Sequence, residues 1–233
     1  MMKTLPTQMN LKTVWTIPVA TLLGIGSFVV FMAVFFLAMD ESPRVGLILG
    51  WSHNQRLMLS TLLALLAMCV ILGPIAVLIV SKRQSGSWWD SIEWNPNRTI
   101  YWSILVGVVL AVANQVVLSV VFGSAGSFRE HPLALSMGLY VVSDVFVQPA
   151  VEEMYFRGIL FLALAERFGG LAAIAVVTVI FALMHPAGYR LNVLPIAIAL
   201  GAARLKTRSL ASCFALHASY NLALVLYQLA APS

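Results

Sequence analysis

The sequence predicts an all-α fold, a polytopic transmembrane helix bundle of about seven spans, six to eight, with a polar active site inside the bundle. Three observations carry this. Hydrophobic residues make up 61% of the 233-residue chain and charged residues only 10%, against about 45–50% and about 25% in soluble domains. The apolar residues fall in long runs separated by short polar segments. A few ionisable side chains then stand inside those runs, where bilayer depth makes them costly. This composition excludes a soluble globular enzyme, a disordered chain and a nucleic-acid binder. The net charge of +5 is spread over the ends of the runs, so it reads as topology signalling and not as attraction to an acidic partner.

The first run, residues 13–39, has no charge. It is too long for the apolar core of a cleavable signal and is taken as a retained span. Residues 57–80 form the second, kinked at Gly73-Pro74, and residues 100–122 the third. Between the second and third, residues 84–98 carry Trp88, Trp89 and Trp94, a collar suited to the headgroup level. Residues 133–165 form a less uniform fourth run, expected to break at Pro149 and holding Asp144, Glu152, Glu153 and Arg157. Gly169-Gly170 turns the chain into residues 171–184, followed by 191–203 and 210–229. The chain thus divides into N-terminal transmembrane helices with the Trp collar, residues 1–132, and a bundle bearing the site, residues 133–230. Cys69 and Cys213 lie in apolar runs and read as buried hydrophobes.

The positive-inside rule sets the orientation. With the N-terminus inside, Lys3, Lys12, Lys82, Arg83, Arg98, Arg167, Arg204, Lys206 and Arg208 are cytoplasmic. Arg44, Arg56, Arg129 and Arg190 are then outside, and the imbalance favours a cytoplasmic N-terminus.

Three clusters hold the chemistry. Glu152, Glu153 and Arg157 form the first, Phe181 and His185 the second, and His217 and Asn221 the third. Each places residues four apart, on one helix face. Glu153 lies about 16 residues before the Phe168/Gly169 turn and His185 about 16 after it, so in an antiparallel pair both sit about 24 Å from the turn. His217 stands about 13 Å into its own span and approaches that level. Singly, each cluster has a structural reading: a buried ion pair setting register, a helix cap at His185, interhelical glue at His217 and Asn221. Asp144 reads as structural or cavity-lining. Together, two carboxylates and two imidazoles exceed what glue requires, since Ser and Thr would suffice.

The motifs Glu152-Glu153-x-x-x-Arg157, Phe181-x-x-x-His185 and His217-x-x-x-Asn221 resemble, in order, those of the CAAX proteases and bacteriocin-processing enzymes, the CPBP or Abi family of intramembrane proteases. The resemblance covers residues 133–230 and includes Phe156-Arg157-Gly158 and Ser209-Leu210. It implies an endopeptidase acting on a membrane-associated peptide or protein. Glu152 is then the general base, His185 helps hold the water, Glu153 and Arg157 orient, and His217 and Asn221 stabilise the oxyanion. One departure is Tyr189, where the eukaryotic type II CAAX branch has Asn four residues after the second-motif His; it points to the bacterial branch and so to a bacterial plasma membrane. The same atoms allow a zinc version, with Glu152, His185 and His217 as ligands and water in the fourth position, although no HExxH spacing signals it. Two other classes use the same polar residues: a non-catalytic immunity or scaffold protein that binds through them, and an ion-coupled carrier, against which stands the lack of a repeated half. The bilayer and the substrate are the implied partners; oligomeric state stays open.

Overall fold

The computed structural model describes residues 92–122, 141–185 and 187–230 without interruption, together with residues 16–27 and the helical positions 29–30, 33–34, 37, 59–60, 63–64, 67 and 138. Among the described residues every regular element is helical, as the composition predicts. The elements are α1 (Ile17–Ser27) and α2 (Thr99–Phe122), then a helical stretch over residues 141–168. That stretch alternates between two widths: a π turn (Val141–Val147), α3 (Gln148–Glu153), a second π turn (Met154–Leu160) and α4 (Phe161–Phe168). After it come α5 (Gly170–Leu183), a short 3₁₀ turn (Ala187–Tyr189), α6 (Arg190–Thr207) and α7 (Leu210–Ala230).

Two of these helices, α2 and α7, are long and apolar enough to cross a membrane. The outward face of α2 carries exposed Trp102, Leu105, Val109 and Val116, an arrangement suited to lipid and not to water. Within the expected span at 13–39 the described positions are helical from Ile17 on, while the expected span at 57–80 lies largely outside the described residues, as do Trp88 and Trp89 of the collar. The fifth expected span is shorter than a bilayer: α5 has 14 residues, about 21 Å at 1.5 Å per residue. The fourth does not break at Pro149. Helix runs through it because Pro149 occupies the first turn of α3, where a missing N–H is tolerated.

Gly169 makes the turn between α4 and α5 at φ 84°, a conformation that glycine alone enters without steric cost; its N–H closes α4 on the Ala165 carbonyl at 2.9 Å. Phe156 and Phe181 stand equally far before and after this turn, and their rings meet edge-on at 5.1 Å. The antiparallel register expected from the sequence is therefore the one formed. Phe156, Phe161, Val177, Phe181, Ala197 and Leu210 lie in the core around this hairpin. A second core of Ala111, Ile196, Leu200, Cys213 and Leu216 joins α2, α6 and α7.

α2 and α7 approach each other closely at Gly107. A Cβ placed on Gly107 would come within 2.4 Å of the Leu216 carbonyl oxygen and 3.1 Å of the Tyr220 amide, so α2 rests on the backbone of the turn that carries His217. Small residues allow this approach between membrane helices. Asn114 of α2 adds polar contacts, donating to the Tyr220 hydroxyl at 2.8 Å and the Asn192 carbonyl at 3.2 Å. Gly107→Ala is expected to cost about 1–3 kcal/mol by overpacking, whereas Gly188→Ala, with nothing within 4 Å of its added Cβ, should stay within about 0.5 kcal/mol of wild type; denaturation of both in detergent measures the difference.

Candidate active site

Glu152 and Glu153 end α3, and Arg157 lies in the π turn after it. Their burial differs. Glu153 and Arg157 are 1% and 0% exposed, while Glu152 is partly open. Arg157 Nη1 donates to Glu153 Oε1 at 3.0 Å, Nη2 donates to the Ala197 carbonyl at 3.3 Å, and the guanidinium carbon lies 4.6 Å from the Phe181 ring centroid. A carboxylate withdrawn from water needs a counter-charge of this kind, or its desolvation cost goes unrecovered. Glu152 is held differently. Gln148, one helical turn earlier on the same face, donates from Nε2 to Glu152 Oε1 at 2.9 Å.

His217 comes from α7 and meets both carboxylates. Its Nδ1 lies 2.8 Å from Glu153 Oε1, the oxygen that also accepts from Arg157. An ionised carboxylate only accepts, so Nδ1 carries a proton, and in the neutral form of the ring Nε2 is the acceptor. That Nε2 faces Glu152 Oε2 at 3.9 Å. The gap exceeds a hydrogen bond but fits one bridging water.

Asn221, one turn beyond His217, donates from Nδ2 to the Asp144 carbonyl at 2.7 Å. Pro149, five residues after Asp144, has no N–H to offer that carbonyl; Asn221 brings it a donor from another helix, and the second amide hydrogen of Asn221 remains for another acceptor.

His185 lies just past the end of α5, with Nδ1 2.8 Å from the Phe181 carbonyl oxygen. Phe181 separates it from the rest of the group: the Phe181 ring is 4.8 Å from the His185 ring and 6.0 Å from the His217 ring. The structure therefore gathers Glu152, Glu153, Arg157 and His217 directly, sets Asn221 beside them, and places His185 across an aromatic ring. The zinc set of Glu152, His185 and His217 is not assembled. Among the described residues no three His, Cys, Asp or Glu side chains come together as metal ligands, and no step below runs through an ion.

Two residues of this neighbourhood carried no functional reading in the sequence. Gln148 had a legible signal, its position four residues before Glu152. Arg204, counted among the cytoplasmic loop charges, is instead 1% exposed inside the bundle. Its Nε donates to the Arg157 carbonyl at 2.9 Å and its Nη2 to the Ile92 carbonyl at 3.3 Å, and Nη2 pairs with Glu93 Oε2 at 2.9 Å.

Residues 134–223 match the family model of the type II CAAX prenyl endopeptidase Rce1-like proteins, a stretch that contains every residue of the three motifs. No curated protein and no solved structure matches the chain. Removing Arg157 would leave the Glu153 charge buried against an uncharged wall. Arg157→Ala is accordingly expected to cost about 3–5 kcal/mol, read from its denaturation midpoint in detergent against wild type.

Proposed function

We propose that this chain, whose residues 134–223 match the type II CAAX prenyl endopeptidase model, is an intramembrane endopeptidase of that family that hydrolyses a peptide bond in a membrane-associated substrate with a water activated by Glu152. The observation that carries the reading is the 3.9 Å gap between Glu152 Oε2 and His217 Nε2. Two acceptors at that spacing are satisfied by a single water donating one hydrogen to each, which leaves its oxygen lone pairs free to attack. Gln148 fixes the other Glu152 oxygen, and Glu153 fixes the His217 tautomer, as the buried carboxylate does for the histidine of a hydrolytic triad.

In this mechanism Glu152 takes a proton from the water as its oxygen bonds to the scissile carbonyl carbon. The carbonyl electron pair moves onto oxygen, where the second Asn221 N–H supports it. Collapse breaks the C–N bond, and the proton held by Glu152 passes to the leaving amine. The role of His217 shifts from the oxyanion donor that the motif resemblance implied to a partner in holding the water. His185, with Nδ1 committed to Phe181, keeps Nε2 for the substrate. The proposal includes a bacterial plasma membrane and a cytoplasmic N-terminus, in keeping with Tyr189 and the distribution of Lys and Arg.

Glu152→Gln, His185→Ala and His217→Ala should each lower cleavage of a quenched-fluorophore farnesylated CAAX peptide by about 100-fold or more, with the purified proteins remaining helical and monodisperse. Turnover near wild type in all three would remove the enzyme reading, and biological protection by Glu152→Gln would favour a binding role. Cleavage is expected to persist after exhaustive chelation; loss on chelation with recovery on added zinc would reverse that part of the reading.

A further inference from the structure

Arg204 has no place in the motifs, yet it is the largest polar investment in the fold after Arg157. Both arginines are among the largest fully buried side chains described. A buried guanidinium is costly unless its donors are used, and the partners of Arg204 come from two separate segments. One is the Arg157 main-chain carbonyl, inside the π turn that follows the two glutamates. The other is the segment ahead of α2, through the Ile92 carbonyl and the Glu93 carboxylate. The same segment is tied to the start of α7, where the Leu210 amide donates to the Glu93 carbonyl at 3.0 Å and the Ser209 hydroxyl donates to the Asn95 carbonyl. Glu93 has φ 53°, a left-handed conformation that is unfavourable for a non-glycine residue. The contacts made by that turn hold it there.

These contacts form one connected path. Arg204 fixes the backbone of Arg157, the Arg157 side chain fixes Glu153, and Glu153 fixes the ring of His217. We propose that Arg204 is a positioning residue of the site, setting the orientation of His217 through the main chain of Arg157, with Glu93 as its counter-ion. Lysine does not replace it, because a point charge cannot serve the Arg157 carbonyl, the Ile92 carbonyl and the Glu93 carboxylate with the planar fork that reaches all three. The assignment rests on the endopeptidase reading for its effect on turnover but not for its effect on His217.

The test compares Arg204→Lys with Gly201→Ala, a control on the same helix whose added Cβ would press on Ile174 at 3.1 Å, a side chain outside the hydrogen-bonded path. The first readout is the imidazole ¹⁵N spectrum of detergent-solubilised, ¹⁵N-histidine-labelled protein, in which the His217 signals are those lost in His217→Gln. The second is kcat and KM on the farnesylated CAAX peptide. Arg204→Lys should shift or broaden the His217 signals and lower kcat about tenfold or more, with KM within about twofold, since misplacement of a catalytic group by a fraction of an ångström carries losses of this order. Gly201→Ala should leave the His217 signals and kcat unchanged. Glu93→Gln, which keeps a hydrogen-bond acceptor for Arg204, should fall between wild type and Arg204→Lys in both readouts. Unchanged His217 signals in Arg204→Lys, or changes equal to those in Gly201→Ala, would overturn the proposal and leave Arg204 a structural staple. Should Arg204→Lys fail to fold, Glu93→Gln decides alone, and wild-type signals with wild-type kcat would count against the proposal. A wild-type protein that leaves this peptide uncut rejects a prenylated CAAX substrate for the proposed endopeptidase, while the His217 spectrum still decides whether Arg204 positions the ring.

Discussion

The contact on which the site depends is the hydrogen-bonded pair of Glu153 and Arg157, both withdrawn from solvent. A carboxylate so deeply buried would be costly alone, and a guanidinium equally so. Joined one helical turn apart, they create a fixed negative edge to which His217 of a different helix binds by Nδ1. That bond decides which nitrogen of the ring carries the proton, and so what faces Glu152. The more buried carboxylate holds the geometry, and the more open one, Glu152, stays accessible.

The π turns give this geometry its backbone. Closing a turn over one more residue changes which side chains share a face and which carbonyls lack a helical donor. Two carbonyls of this stretch, Asp144 and Arg157, accept from side chains of other helices, Asn221 and Arg204. Irregular helix here is thus a means of joining α6 and α7 to the strongly polar segment, and it relies on donors that are themselves buried. Phe181 completes the arrangement by lying against Arg157 and both site histidines, which explains why an aromatic ring accompanies the second motif.

Much of this was legible in the sequence. The meeting of Glu152, Glu153 and His217 followed from polar residues at four-residue spacing inside apolar runs, and the register of α4 against α5 followed from counting outward from Gly169. Gln148 obeyed the same spacing but is uncharged, so it did not stand out. Arg204 was hidden for a different reason: near the end of a helix, a burial-bound arginine and a topology-setting arginine have the same local sequence, and only the fold says which one folds inward. Asn221 was found as a residue but not as a donor to Asp144, since a backbone carbonyl leaves no mark in a sequence. The effect of Pro149 was misjudged because periodicity does not reveal a change of helical width.

Placing Glu153 and Arg157 four residues apart on one chain segment also bears on how the protein enters a bilayer. Had the counter-charge of Glu153 come from another helix, the segment would have crossed the hydrocarbon as a lone anion until its partner arrived. Because the partner travels with it, residues 141–168 carry a self-neutralised pair into the membrane, at a far smaller penalty than two separated charges. His217 follows on α7, later in the chain, and meets that pair through Nδ1. The chain therefore presents the two structural charges before the ring that rests on them.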